Sequence, residues 1–296
     1  MRERLMRHDT QRVAVITGAS SGIGLATAEA LASQGWRIIG TGRDPQRTST
    51  AESVIRAAAT PGIQVEMLRV DLSLMADAAR AAGAIAALTD RIDVLINNAG
   101  GAAAHRVLTS EGNEATFAGN HLGHFVLTNK LLPLLSAAAA EAAPGATRII
   151  NVSSRGHEVA PGLNWDDLQM IAHFVPMAAY CNAKLANILF TRALAERLEP
   201  LGIVAHAMHP GAVDSNFVTH ADAGTQLYFR GRTDLATPEE AADTVVWLAT
   251  AIEPGETSGG YFHQRKPVPA SAAANDMQAA RRLWLESQKL TAGVLG

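Results

Sequence analysis

Apolar residues in this chain fall in short blocks separated by longer amphipathic or alanine-rich stretches. Val13 to Thr17, Arg37 to Thr41, Val65 to Val70, Asp93 to Asn97, Arg148 to Val152 and Ile203 to Met208 each read as a short strand. These blocks are nearly uninterrupted in apolar character, as expected of strands covered on both faces. Between them, Gly24 to Gln34, Leu74 to Leu88 and Phe117 to Leu135 read as helices. Strand-helix alternation implies right-handed crossovers, which predicts an α/β chain with a doubly wound parallel sheet and helices on both faces. Two segments interrupt the rhythm, Arg155 to Ala179 and Ala212 to Thr237. Pro238 opens another helix with Thr237 as its cap. A strand at Gly260 to His263 and a helix from about Asn275 to Lys289 close the pattern. No internal repeat and no linker rich in Pro, Gly and Ser divides it. One domain over residues 1–296 is expected, with 1–11 as a flexible tail.

Composition narrows the function classes. A chain of 296 residues, 48% hydrophobic and 18% charged, is ample for a single large core. A net charge of -3 with scattered basic residues argues against a nucleic-acid partner. The lone cysteine, Cys181, excludes an intrachain disulfide. Met1 to Arg12 is charged and lacks a signal-peptide core, and no apolar run nears the roughly 18 residues that span a bilayer. A cytoplasmic protein without a membrane anchor is expected. His121 and His124, and His206 and His209, lie close in sequence but lack a third ligand at metal-site spacing, so no metal is expected. Gly-x-Ser-x-Gly is also absent, against a nucleophile-elbow hydrolase.

Candidate chemistry begins after the first strand, where Gly18, Ser20, Ser21, Gly22, Ile23 and Gly24 lead into an alanine-rich helix. A glycine turn at a helix N-terminus suits a dinucleotide pyrophosphate: bare backbone approaches the phosphates, and unpaired N–H groups face them. The second strand ends Gly42-Arg43-Asp44. Arg43 suits the 2′-phosphate of NADP(H), while Asp44 could instead bind the ribose hydroxyls of NAD(H), so NADP(H) is preferred and NAD(H) stays open. Tyr180 and Lys184 stand at i and i+4, on one helix face one turn apart. A phenol is a poor acid or base at neutral pH, and a neighbouring ammonium lowers its pKa. The pair is a candidate for proton transfer with a substrate oxygen.

With these motifs in order, the chain resembles the short-chain dehydrogenase/reductase family. The motifs are Thr17-Gly18-x-x-x-Gly22-x-Gly24, Asp71-Leu72, Asn97-Asn98-Ala99-Gly100, Asn120, Ser153-Ser154, Tyr180-x-x-x-Lys184 and His209-Pro210-Gly211-Ala212-Val213. Asn120-His121-Leu122-Gly123-His124-Phe125, Gly260-Tyr261-Phe262 and Arg281-Arg282-Leu283-Trp284 resemble its retinol dehydrogenase-like branch. The resemblance implies a Rossmann-type fold and an NAD(P)-dependent oxidoreductase acting on a carbonyl or alcohol. It implies Tyr180 as general acid/base, Lys184 on the nicotinamide ribose, Ser154 on the substrate oxygen and Asn120 positioning a water. Ser153 competes with Ser154, and the second serine fits the family pattern better. Asp71 and Leu72 are implied at the adenine, Asn98, Ala99 and Gly100 along the cofactor, and Pro210, Gly211, Val213 and Ser215 at the carboxamide and pyrophosphate. Ala183 departs from the serine usual before the lysine. The interval from Ser154 to Tyr180 is longer than common.

The two interrupting segments carry Trp165, Leu168, Met170, Phe174, Phe217, Leu227, Tyr228 and Phe229, which predicts an apolar substrate pocket. The helix after Tyr180 is apolar around much of its circumference, so it must be covered on several sides. Family members often pair this helix between subunits, which makes a homodimer or homotetramer the expected assembly. The rival reading is a non-catalytic NADP-binding sensor, which has no need of a proton relay.

Overall fold

The computed structural model describes residues 11–214 and 222–295, without the side chains of Tyr228 and Phe229. The expected N-terminal tail (apart from Gln11), Ser215 and Phe217 lie outside the described residues. Eight strands form one sheet in the order β3-β2-β1-β4-β5-β6-β7-β8. They are β1 Val13–Ile16, β2 Arg37–Gly42, β3 Val65–Arg69, β4 Val94–Asn97, β5 Arg148–Val152, β6 Val204–Met208, β7 Tyr261–His263 and β8 Lys266–Pro267. All neighbouring pairs are parallel except β7 with β8. The short β8 was not legible in sequence. It follows a two-residue hairpin in which Gln264 and Arg265 both take positive φ, 46° and 60°, the twist such turns require.

Helices cover both faces. One layer holds α1 Gly22–Ser33, α2 Pro45–Ala58 and α8 Pro238–Thr250. The other holds α3 Met75–Leu88, α4 Ala115–Phe117, α5 Gly123–Glu141, α6 Pro176–Leu198, α9 Met277–Leu290 and α10 Ala292–Leu295. α7, Ala223–Arg230, lies in the second interrupting segment. Strand side chains alternate between the layers: Val13, Val15, Leu95 and Ile149 face the α5–α6 core, while Ala14, Ile16, Ile96 and Ile150 face α1 and α8. This two-sided burial explains the continuous apolar blocks.

Caps set several boundaries. Asp44 accepts from Arg47 N (2.8 Å) at the start of α2. Thr237 and Glu240 form a capping box around Pro238, beginning α8 where the sequence predicted. α6 starts at Pro176, one turn before Tyr180. Between α4 and α5, Ala118–Leu122 widens into a π turn, which no period-3.6 pattern reveals.

α9 lies across α6. Trp284 packs between Phe125 and Phe190 (centroids 5.0 and 5.9 Å), and Arg281 pairs with Glu196 on α6. The apolar circumference of α6, taken in sequence as a subunit surface, is thus covered within one chain. Among the described residues, no helix is long and apolar enough to cross a membrane.

Candidate active site

Strand order reverses between β1 and β4, whose adjacent crossovers leave toward opposite edges of the sheet. Loops after the strands diverge there and leave a crevice, the usual ligand position in open α/β sheets. An open cleft of about 2020 Å³ occupies this edge. Gly18, Ser20, Ser21, Gly22, Ile23, Arg43, Asp71, Leu72, Asn98, Ala99, Gly100, Asn120, Ser154, Tyr180, Lys184, Pro210, Gly211 and Val213 all line it. Of the residues singled out from sequence, Gly24 lies behind this lining and Ser215 is outside the described residues.

The glycine turn is tightly built. Gly18 and Gly22 take φ of 68° and 54°, which side chains disfavour. A Cβ on Gly24 would strike the Gly18 carbonyl, so its bareness serves helix-strand packing rather than ligand contact. The N-cap Ser21 makes no side-chain bond to α1, and no acidic residue occupies the first turn. The first amides of α1 therefore face the cleft without a side-chain cap, a fit for an anionic pyrophosphate.

Asn98 braces this turn: its Nδ2 donates to Thr17 O (2.8 Å), and Thr17 Oγ1 accepts from Asn98 N (2.9 Å) and Ala99 N (3.0 Å). Asp71 accepts from Ser73 N and Oγ (3.0 and 2.7 Å). At the far rim Arg43 and Arg47 are exposed. Asp44 is engaged as the α2 cap and pairs with Arg47 (3.8 Å) rather than with Arg43.

Below the turn, Ser154 begins a short 3-10 turn, Arg155–Glu158, and its Oγ accepts from Gly156 N (3.0 Å). Its hydroxyl also hydrogen-bonds the Tyr180 phenol. The neighbouring Ser153 is buried and donates to Lys184 O (2.7 Å). Its hydroxyl is thus tied to α6, which leaves Ser154 as the serine at the phenol. Lys184 Nζ donates to Val152 O (3.0 Å) and lies 5.5 Å from the Tyr180 ring centroid. Asn120 donates to Gly101 O (2.8 Å) and Thr116 O (2.7 Å) and accepts from Gly101 N (3.3 Å). Its amide braces the loop after β4.

Electrostatics differ from the sequence expectation. Burial pushes the Tyr180 phenol up to about 12, against a lowering by the Ser154 hydrogen bond. Burial also pushes Lys184 down to about 8. For the phenol, desolvation outweighs the Ser154 hydrogen bond.

The apolar lining also differs. Trp165 and Leu168 pack against the core, with Arg282 over the Trp165 ring at 4.5 Å, and Met170 S accepts from Asn182 (3.1 Å). Phe174 and Leu227 do not line the cleft; Val107, Val159, Val175, Met177 and Val268 do. Two histidines beside the site, His124 and His157, carry no role in the sequence pattern beyond the branch motif that contains His124. His157 Nδ1 donates to the Ser154 carbonyl (2.7 Å), and its Nε2 accepts from Ser271 N (3.2 Å). The signal for both was spacing from a predicted site residue: His124 stands four residues after Asn120 and His157 three after Ser154.

A doubly wound sheet with a glycine turn, and a serine-tyrosine-lysine group at its switch point, define a nicotinamide-dependent oxidoreductase. The pattern described as short chain dehydrogenase matches residues 12–226. Human retinol dehydrogenase 13 is 37% identical over 292 residues, covering 94% of this chain and 84% of the relative. An uncharacterized protein from Mycobacterium paratuberculosis superimposes with a TM-score of 0.73 at 33% identity, covering 95% and 94% of the two chains. The Pseudomonas aeruginosa RhlG/NADP active-site complex gives 0.67 at 28% identity, covering 85% and 93%. The chain belongs to the short-chain dehydrogenase/reductase family, in its retinol dehydrogenase-like branch, and is an NAD(P)-dependent oxidoreductase of alcohol and carbonyl groups.

Proposed function

We propose that this chain transfers hydride between NADP(H) and a lipophilic carbonyl or alcohol, with Tyr180 as general acid and base. The observation that carries the reading is the Ser154–Tyr180 hydrogen bond inside the cleft that also contains the glycine turn. The nicotinamide supplies the hydride chemistry when bound. At neutral pH a phenol raised to about 12 keeps its proton, so Tyr180 is set to donate to a carbonyl oxygen during reduction. Ser154 holds the same oxygen and stabilises developing charge. Lys184 is an ammonium below about 8 and returns a proton toward the phenol. Asn120 keeps the Gly101 backbone in place beside Lys184. The amides of α1, with Ser20, Ser21 and Ile23, bind the pyrophosphate, and Asp71 and Leu72 flank the adenine.

The NADP(H) preference is supported at the rim, where Asp44 is engaged as a helix cap. A carboxylate held by a helix N-terminus is poorly available to ribose hydroxyls, whereas the exposed Arg43 suits a phosphate. The apolar valines and Met177 support a lipophilic substrate. Cytoplasmic location and a homodimer or homotetramer belong to the same reading. The assembly rests on the family resemblance, since α9 covers α6.

Aldehydes, ketones and alcohols assayed by absorbance with NADPH, NADH and their oxidised forms test the proposal. Tyr180→Phe is expected to remove most turnover while NADPH still binds. Full activity of that variant eliminates the phenol as proton donor. Tight NADPH binding without turnover on the whole panel favours the sensor reading.

A further inference from the structure

His124 is buried, 2% exposed, and both of its ring nitrogens are paired. Nδ1 lies 3.0 Å from the Asn120 carbonyl, and Nε2 lies 2.9 Å from Thr17 Oγ1. A carbonyl only accepts, so Nδ1 carries the hydrogen; Nε2 then accepts from the Thr17 hydroxyl. That fixes the Thr17 rotor. Its oxygen is left to receive the N–H groups of Asn98 and Ala99, and its alternative acceptor, Ile96 O, is more distant at 3.4 Å. Asn120 in turn holds Gly101 through two hydrogen bonds, and a third, to Thr116 O, anchors its amide. The contacts close a ring: Thr17, the segment Asn98 to Gly101, Asn120, His124 and back to Thr17. The ring spans the end of β1, the loop after β4 and the π turn.

Packing alone does not require this imidazole. His121, three residues earlier, is equally buried and shows the structural alternative. It sits among Phe117, Phe125 and Phe190, bonds Ser287 Oγ (2.7 Å) and leaves Nδ1 without a partner. Its contacts lead away from the cleft, whereas both partners of His124 belong to loops that line it.

We propose that His124 is a positioning residue that locks the cofactor-side loop, Asn98 to Gly101, to the Asn120 turn beside Lys184. The inference rests on the hydride-transfer reading, but its first measurement does not need turnover. NADPH affinity by fluorescence titration, kcat and KM on an active substrate, and thermal melting are compared for His124→Leu, His124→Gln and His121→Leu. His124→Leu is expected to weaken NADPH binding and lower kcat, each by about tenfold, on the scale of one or two lost positioning hydrogen bonds. His124→Gln, which keeps a donor and an acceptor, recovers part of both. His121→Leu lowers the melting temperature without either loss. Equal NADPH affinity and kcat in the two leucine variants overturns the proposal. If His124→Leu does not fold, Thr17→Val and Thr17→Ser ask the same question. Loss in the valine variant alone supports the ring, and equal behaviour refutes it. A parent chain that binds NADPH but turns nothing over sinks the enzyme reading and leaves the affinity comparison decisive. A parent that binds neither NADPH nor NADH overturns both.

Discussion

Gly100→Ala tests the site where its parts are closest. A Cβ at Gly100 would overlap Asn120 Oδ1 far inside van der Waals contact and stand 3.1 Å from Lys184 Nζ. Neither neighbour gives way freely. Asn120 is held at Gly101 O and N and at Thr116 O, and Lys184 is held at Val152 O. To restore ordinary contact near 3.5 Å, the amide must retreat by about 1 Å. That stretches one or two hydrogen bonds, a loss of about 1–3 kcal/mol in stability. A displacement of this size beside the reacting groups costs on the order of 10²-fold in turnover. The expected result is therefore a modest fall in melting temperature with a much larger fall in kcat, measured by absorbance with saturating NADPH. NADPH affinity should fall less than kcat, because the α1 amides are untouched. Near-parental kcat in a folded Gly100→Ala protein would refute the claim that Asn120 and Lys184 act from these positions.

The remaining expectations are smaller in scope. Arg43→Ala should raise KM for NADPH far more than for NADH; equal changes on both cofactors contradict the phosphate assignment. Asp44→Ala should cost about 1 kcal/mol through the lost α2 cap and leave the cofactor ratio unchanged in the same assay. Burial lowers Lys184 from 10.5 to about 8. The unfolded chain thus binds more protons between those values, and this residue's contribution to stability rises with pH across that window. Lys184→Met should stabilise the fold most below about pH 8, with the advantage shrinking toward 10.5; denaturant melts that stay parallel across this range reject the burial argument. A sizing column that returns only a species of 31.1 kDa refutes the proposed homo-oligomer.

The sheet was readable because a strand covered on both faces must be largely apolar; five of the six predicted strands are buried throughout, and only the edge strand β3 is part-exposed. The glycine turn and the Tyr180–Lys184 spacing were readable because backbone freedom and helical period are local properties. Thr237 and Pro238 were readable for the same reason. Among the described residues, Trp165, Leu168, Phe174 and Leu227 do not line the cleft. Trp165 and Leu168 belong to a long loop in sequence, but large aromatic and aliphatic groups gain most by packing on the core, and they do so under Arg282. That Asp44 caps α2 at Arg47 N is a structural fact of the helix start, not of the Gly42-Arg43-Asp44 sequence.

Local pattern thus determined the fold class, the glycine turn at the start of α1 and the identity of the candidate proton-transfer pair. Tertiary structure alone decided which serine meets the phenol, since Ser153 and Ser154 point to opposite partners on adjacent residues of one chain. It decided that α9 covers α6, and that His124 joins Thr17 to Asn120 across 107 and 4 residues of sequence. It also decided the electrostatics: a lysine one turn from a tyrosine predicts a lowered phenol pKa in water, but burial pushes this phenol up. Desolvation depends on everything packed around a group, and no spacing along the chain encodes that.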